Sequence, residues 1–546
     1  MNESKATFQT VVILAAILGA AYLSVHVGAG VTPTGTAYSW NIVELVLQFI
    51  RDDATVPVAT WPFAVVLVVV AIVGLVLLGK FTRVWKDERR TAGRMAAPYE
   101  HKVIRGRARQ QEAGRLHPGA RGISCGLPIG KVVAQQNVRD NRVYQGWEEA
   151  AVYLFGTRRG KTSSIVVPHA AAAPGGVLFT SNKPDGVPQI LALRRGGNHY
   201  VYDPNQIMRE TATPDFTYNP LEGIHTAQDA RELAEIFEAS TRKSGDKGGD
   251  AQFDEPGRDM LAAFLLAAAL EERTLRDVYG WLVKQQGPIV ADLLRTHDVD
   301  GPAETLDGIG EWPDRTRGSV YATAQRMGGA LANDSLLAWT VPTPGIREFD
   351  PATMATGKDT LVLLSKNGTG SGTAFVTALV RAVCKNAQKQ AEANGGRLAV
   401  PLVLELDECA NVVRWPELPE VYSFYGSLGI VLSSYFQSPA QAVGAFGKEG
   451  WESIWGAAVT RCYGGGVADS PELQKLSNLI GDYDQLMDAS TGANRRQAIM
   501  SVKQLGSMRK WRIVVFNSNT PPVLVKGRPW FRSPRLRRLV KKGATA

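Results

Sequence analysis

The chain is poor in the residues that cross-link or chelate. Its 546 residues include four cysteines, Cys125, Cys384, Cys409 and Cys462, and seven histidines. No two cysteines form a CxxC pair and no two histidines stand at metal-ligand spacing. A disulfide framework and a structural zinc site are excluded, and the cysteines read as reduced, cytosolic packing residues. Acidic residues are missing from Lys526 to Lys542, which holds eight lysines and arginines. Basic residues are nearly missing between the two long apolar runs, where Arg51 stands alone against Glu44, Asp52 and Asp53.

Those two runs are the chain's candidate membrane spans. The first extends from about residue 8 to 27 and the second from 63 to 79. The second is seventeen uncharged, mostly aliphatic residues flanked by Trp61, Lys80 and Trp85, close to the shortest length that crosses a bilayer core. The first has a second reading as a cleaved signal peptide. Residues 80 to 121 hold twelve basic and four acidic residues, so the positive-inside rule places the large C-terminal part in the cytoplasm under either reading. The expected localisation is the cell membrane, multi-pass.

The net charge of +9 is concentrated rather than spread. The juxtamembrane stretch carries +8 and the tail another +8, which leaves −7 for the rest of the chain. Anionic headgroups are the first partner for the juxtamembrane run. For the tail, lipid and nucleic acid stay open, because Trp530 and Phe531 sit among its arginines and offer stacking surfaces.

Beyond a polar linker, strand-like and helix-like segments alternate. GVLFTSN (Gly176 to Asn182), HYVYD (His199 to Asp203), TLVLLS (Thr360 to Ser365), LVLELD (Leu402 to Asp407), GIVLSSY (Gly429 to Tyr435) and RIVVFN (Arg512 to Asn517) are short, apolar and β-branched. That pattern predicts an α/β fold with a mostly parallel sheet. From about His225 to Thr340 only helical periodicity remains, with a Gly-rich loop from Lys243 to Asp250. An inserted all-α domain is the expectation. Met260 to Leu270 is apolar but too short to span a membrane. The predicted organisation is a membrane anchor (1–80), a basic linker (81–122), a nucleotide-binding domain in two pieces (123–224 and 341–525), the helical insert (225–340) and a basic tail (526–546).

LFGTRRGKTSS, Leu154 to Ser164, has the character of a phosphate-binding loop with an irregular first half. The usual pattern is a glycine, four residues, then Gly-Lys-Ser/Thr. Gly160, Lys161 and Thr162 match its end, but five places before Gly160 stands Phe155, and the nearest glycine is Gly156. Either the loop is one residue short or Phe155 replaces the glycine. Its context is right: AVYLF (Ala151 to Phe155) reads as a buried strand, and a helix can open after Lys161. Backbone N–H groups at such a turn face phosphates, the lysine reaches the terminal ones and the hydroxyl after it binds magnesium. The expected nucleotide-contacting residues are Gly156, Thr157, Arg158, Arg159, Gly160, Lys161, Thr162 and Ser163.

A second motif, LVLELDECAN, ends an apolar strand in Asp407-Glu408. Adjacent carboxylates are costly to place together without a cation. In phosphate-loop ATPases the aspartate of such a strand, which lies beside the phosphate loop, holds magnesium, and the glutamate activates water. At the tip of the next strand Gln437 is placed to sense the terminal phosphate, with Gln441 behind it.

The ordered set of strand–GKT, TSNKPDG, helical insert, LDECANVVRWPELPEVYSFYGSLGIVLSSYFQS and AAVTRCYGGGVADSPELQKLSNLIG resembles the coupling-protein ATPases of type IV secretion and conjugation, the TraG/TraD-type group. The resemblance spans roughly residues 125 to 525. It implies a RecA-like phosphate-loop NTPase domain, an all-α domain, two N-terminal transmembrane helices and a membrane-bound homohexamer. It implies ATP and Mg²⁺ as cofactors, and DNA, usually single-stranded with a bound relaxase, delivered to secretion channel proteins. By position, Lys161 and Thr162 match the phosphate loop, Asp407 and Glu408 the acidic motif and Gln437 the sensor. Lys161, Glu408 and Gln437 are the expected catalytic residues, and Thr162 and Asp407 the expected metal ligands. The family often has an arginine, acting across subunits, where this chain has Gly426; Arg414 and Arg461 are alternative sources. A non-hydrolysing docking platform and an FtsK-type pump for double-stranded DNA are the competing functions.

Overall fold

The computed structural model describes residues 18–544, apart from 33–34, 121, 135–139, 212, 242–250, 367–370 and 489–492. The glycine-rich loop expected at Lys243 to Asp250 therefore lies outside the described residues. The chain divides into two compact units, Met1–Arg90 and Thr91–Ala546.

In the first unit, residues 18–31 and Ile42–Ile50 are helical, and a 36-residue helix, Thr60–Met95, begins. Asn41 caps the Ile42–Ile50 helix through a side-chain oxygen that accepts from the Val43 N–H at 3.0 Å, as the Ncap preference for asparagine expects. Among the described residues no helix is long and apolar enough to cross a membrane. The two expected spans gain no support from this description. The first begins outside the described residues, and the second falls where side chains at 71–72 and 74–86 are not described.

The second unit is built on a mixed sheet of eleven strands. In chain order its strands are β1 (Leu127–Val132), β2 (Arg142–Gln145), β3 (Ala151–Leu154), β4 (Val177–Ser181), β5 (His199–Tyr202), β6 (Thr360–Leu364), β7 (Leu402–Leu406), β8 (Ile430–Phe436), β9 (Thr460–Tyr463), β12 (Arg512–Asn517) and β13 (Thr520–Lys526); β10 (Asp482–Asp488) and β11 (Ala493–Ala498) make a separate hairpin. The sheet order is β2-β1-β13-β12-β9-β3-β8-β7-β4-β6-β5. The seven strands from β9 to β5 run parallel, and the four from β12 to β2 continue antiparallel.

The parallel strands are buried on both faces, which is why they read as continuous apolar runs. Along β3, Val152 and Leu154 enter one hydrophobic core while Ala151 and Tyr153 enter the other. This two-sided burial supports the predicted α/β architecture. Between β5 and its parallel neighbour β6, no strand is described. The chain instead forms a helical series including Ala227–Thr241, Asp254–Leu270, Leu275–Val283, Gly287–Thr296, Asp300–Gly310 and Asp314–Met327. Met260 through Ala268 are all buried in the midst of these helices. The apolar run there is thus the core of a helical cluster. Thr274 opens one of its helices with a reciprocal cap: its hydroxyl accepts from the Asp277 N–H while Asp277 accepts from the Thr274 N–H, the arrangement known as a capping box.

Candidate nucleotide site

Three neighbouring parallel strands, β3, β8 and β7, end at one place. β3 leads into the loop that carries Lys161, β8 into Gln437 and β7 into Asp407-Glu408. The end of the acidic strand lies beside the phosphate loop, as expected, although β8 separates β7 from β3 within the sheet. That intervening strand is what delivers Gln437 to the acidic pair.

Phe155 still belongs to the sheet. Its N–H donates to the Phe436 carbonyl at 3.0 Å, and the ring is buried. The chain leaves the sheet at Gly156, whose N–H donates to the Gly465 carbonyl at 3.0 Å. A Cβ on Gly156 would lie 2.0 Å from the Gly466 carbonyl oxygen, so no larger residue fits. The turn from Gly156 to Gly160 thus encloses Thr157, Arg158 and Arg159. Gly160 has φ +85° and packs its α-carbon against the Trp511 indole, where a Cβ would lie 2.5 Å from Nε1. Arg158 also adopts the left-handed region, with φ 58°. This geometry favours the shorter-loop reading: Phe155 serves the strand, and Gly156 makes the turn.

The two loop arginines differ. Arg159 is held by carbonyls: Nε donates to Gly464 at 3.2 Å, and Nη2 donates to Met508. It braces the loop against the triglycine Gly464–Gly466 that follows β9. Arg158 and Thr157 line the open cavity. Beyond Lys161 the chain makes a π-helical turn, Thr162–Val166, a form often found at functional sites. Ser163 and Ser164 hydroxyls both donate to the Gly160 carbonyl, at 3.1 and 2.8 Å.

Lys161 Nζ lies 2.5 Å from Asp407 Oδ1 and 3.3 Å from Glu408 Oε1. Burial pulls the ammonium down, but Asp407 and Glu408 outweigh it and raise its pKa, so the lysine stays charged. Gln437 Nε2 donates to both Glu408 oxygens at 2.8 Å, and Asn411 Nδ2 donates to Oε2 at 3.3 Å. Glu408 sits in the left-handed region at φ 54°. Such strain concentrates where a side chain must be aimed. The Asp407 carbonyl accepts from the Thr180 hydroxyl at 2.9 Å, tying β7 to β4.

Beneath these residues lies a buried polar cluster. Glu405, two residues before Asp407, accepts from Tyr435 and meets His169 Nδ1 at 3.0 Å. All three side chains are buried. They link β7, β8 and the helix that follows the phosphate loop.

A cavity of about 870 Å³ brings together Gly156 through Ser163, Asp407, Glu408 and Gln437. Every site residue expected from the sequence borders it. It also holds residues that sequence reasoning missed. Asn182, Lys183, Asp185 and Gly186 come from TSNKPDG, Lys510 from just before β12 and Trp530 from just after β13. TSNKPDG and the triglycine were visible as motifs, but nothing in either segment specified this cavity. Asn182 Oδ1 is buried there without a protein hydrogen-bond donor among the described residues.

Gly426 stands where the family's trans-acting arginine is often found. Its α-carbon packs on the backbone of Glu148, and a Cβ would lie 2.0 Å from that carbonyl oxygen. No side chain is possible at this position. Neither Arg414 nor Arg461 borders the cavity within the subunit. Arg414 Nη1 donates to the Ala239 carbonyl at 3.4 Å, and Arg461 faces the Trp455 ring at 5.9 Å.

The donor set fits a magnesium nucleotide. A lysine, a hydroxyl and an adjacent carboxylate pair converge where backbone N–H groups turn into a helix. No group of three or more His, Cys, Asp or Glu positioned to hold a metal by themselves occurs among the described residues. A magnesium ion here would instead share Thr162, Asp407 and phosphate oxygens, as that ion commonly does.

Comparison with known proteins agrees with this geometry. Residues 401–514 match the family described as "TraM recognition site of TraD and TraG". The fold is similar to bacterial conjugative coupling protein TrwBdeltaN70 in its unbound monoclinic form, at TM-score 0.55 and 15% identity, covering 77% of this chain and 93% of that one. It is also similar to TrwB in complex with the ATP analogue ADPNP, at TM-score 0.54 and 13% identity over 76% and 92%. A third similar structure is TrwB in complex with ADP and Mg²⁺, at TM-score 0.53 and 14% identity over the same shares, 76% and 92%. No curated protein matches. At these identities the structural likeness establishes the fold, while the matched segment carries β7, the acidic pair, β8 and Gln437. The chain thus carries a segment that matches the TraD and TraG family model and shares its fold with a conjugative coupling protein.

Proposed function

We propose that this chain is a membrane-anchored, ATP-driven coupling protein that recruits conjugative DNA, with its relaxase, and moves it to a type IV secretion channel. The observation that carries the reading is the meeting of Lys161, Asp407, Glu408 and Gln437 at the ends of β3, β7 and β8. Lys161 binds the terminal phosphates, exchanging for them its contacts with Asp407 and Glu408. Thr162 and Asp407 would hold Mg²⁺, which would supply charge neutralisation at the phosphate oxygens. Glu408 accepts a proton from the attacking water, and Gln437, hydrogen-bonded to both of its oxygens, aligns it. The likeness to TrwB bound to ADP and Mg²⁺ supports these ligands.

The anchor rests on the apolar run at 63–79 and the basic flank behind it, and puts the second unit in the cytoplasm. A homohexamer is part of the proposal. Gly426 has no room for an arginine, so the trans-acting cation comes from another position, with Arg414 and Arg461 as the candidates.

The test is ATP hydrolysis by the full chain in detergent, with and without single-stranded DNA. Turnover that Lys161→Ala abolishes is the expected result; equal turnover in that variant overturns the assignment. One observation favours a non-hydrolysing docking platform: the turn between Gly156 and Gly160 is one residue short. DNA transfer that survives Glu408→Gln would select that reading.

A further inference from the structure

The basic tail is a built element rather than a loose extension. Pro534–Ala544 forms a helix. Leu536, Val540 and Gly543 are half-buried, at the spacing of one helix face. The helix packs on Val187–Leu193 so closely that a Cβ on Gly543 would lie 2.5 Å from Ala192 Cβ. Arg195 also donates to the Lys542 carbonyl. The opposite face exposes Arg535, Arg537 and Arg538.

On the packed side of the helix lies a notch of about 90 Å³, where Lys131 of β1, Arg142 of β2 and Arg528 converge with Leu536 of the tail helix. No carboxylate lines it. Cations from three separate segments meet there, and the strands that supply two of them lie at the antiparallel edge of the sheet. Phe531, 41% exposed, stands between Arg528 and the helix. Its neighbour Trp530 lines the nucleotide cavity.

We propose that Lys131, Arg142, Arg528, Phe531 and the outer face of the Pro534–Ala544 helix form a binding surface for single-stranded nucleic acid. The proposal rests on the DNA-transfer reading above and adds to it where the strand is held. Charge complementarity selects a polyanion. An exposed aromatic among cations selects unpaired bases, because each base has a face to stack while the cations follow its phosphates. A lipid surface fits less well. A basic amphipathic helix binds a bilayer through its apolar face, and here Leu536 and Val540 are spent on the protein itself. Leu539, 39% exposed, is the one large aliphatic side chain of the helix left outside.

The experiment uses the full chain in neutral-lipid nanodiscs and fluorescence anisotropy with labelled oligo(dT) at several salt concentrations. Arg528→Glu/Arg535→Glu/Arg538→Glu should weaken binding at least about tenfold and lower the slope of log K against log salt by about 2, at about 0.7 for each phosphate no longer neutralised. Phe531→Ala should weaken oligo(dT) binding about tenfold and leave duplex binding unchanged. Unaltered melting and unaltered binding of an ATP analogue establish that the variants are folded. Wild-type affinity and salt slope in the triple variant would overturn the proposal. So would variants that keep oligo(dT) binding but no longer float with phosphatidylglycerol vesicles. The ATPase reading is tested separately, through Lys161→Ala, so either idea can fail without the other.

Discussion

The Phe155 ring lies against the α-carbon of Gly464; a Cβ on that glycine would sit 2.1 Å from Cε1 of the ring. The contact joins the residue that departs from the phosphate-loop pattern to the first of three glycines after β9. The adjacent loop residues are received in the same way, Gly156 against Gly466 and Arg159 against the carbonyl of Gly464. The irregular loop and the triglycine are therefore two halves of one fitted contact.

Restoring the missing glycine should harm the protein. Phe155→Gly removes a ring that is only 1% exposed, and losses of this kind cost about 3–5 kcal/mol. Both the unfolding midpoint and the affinity for an ATP analogue should fall. Gly464→Ala forces the ring aside from the other direction and should cost about 1–3 kcal/mol. Chemical denaturation and equilibrium binding check both, and an improved affinity in Phe155→Gly would refute the fit.

Glu408→Gln should separate binding from turnover. The amide keeps the shape beside Gln437 but cannot accept a proton from water. A rate loss of about 10²–10⁴-fold is expected, with affinity for the non-hydrolysable analogue changed by less than about tenfold. Steady-state kinetics alongside calorimetric binding make the comparison.

The two loop arginines should behave oppositely. Arg159→Ala frees the Gly464 and Met508 carbonyls and should destabilise the fold by about 1–3 kcal/mol. Arg158→Ala touches no described partner and should leave the melting temperature nearly unchanged, while weakening nucleotide binding if its guanidinium faces phosphate. Thermal melting and nucleotide titration of the pair decide this.

Acid should loosen the segment that follows the Thr60–Met95 helix. Burial, then the neighbouring Arg105 guanidinium, lowers the His101 pKa from 6.5 to about 4. Its Nε2 faces Arg105 Nη2 at 2.7 Å and its Nδ1 faces the Ala97 carbonyl at 2.8 Å. The unfolded chain binds the proton more readily, so stability is complete above pH 6.5 and declines as pH falls toward about 4. The loss is on the order of 1–2 kcal/mol once solvent screening is allowed for. His101→Gln should flatten this part of the stability-versus-pH curve, measured by denaturant titration at stepped pH.

Much of the sheet was legible because its central strands are buried on both faces. GVLFTSN, HYVYD, TLVLLS, LVLELD, GIVLSSY and RIVVFN fall on β4, β5, β6, β7, β8 and β12 within a residue or two. β1, β2, β9 and β13 were not visible. LPIGKV and TPPVLVK carry prolines or glycine that suit the antiparallel part of the sheet, and TRCY is four residues with an arginine in it. Such strands are made by their neighbours rather than by local pattern. The helical series between β5 and β6 was legible from its 3.6-residue period, which survives any arrangement of the helices.

The sequence by itself determined the chemistry on offer: a lysine and hydroxyl after a buried strand, two adjacent carboxylates ending another, and a glutamine ending a third. Side-chain type and strand ends are local properties, so they can be read in order along the chain. Only the tertiary structure decided that β8 lies between β3 and β7, that Phe155 packs on Gly464, and that Gly426 has no room for an arginine. It alone brought Trp530 to the nucleotide cavity and fixed the basic tail beside β1 and β2. Each of these is a close approach between segments far apart in sequence. Such approaches depend on which surfaces the sheet order brings together, and no single segment encodes that order.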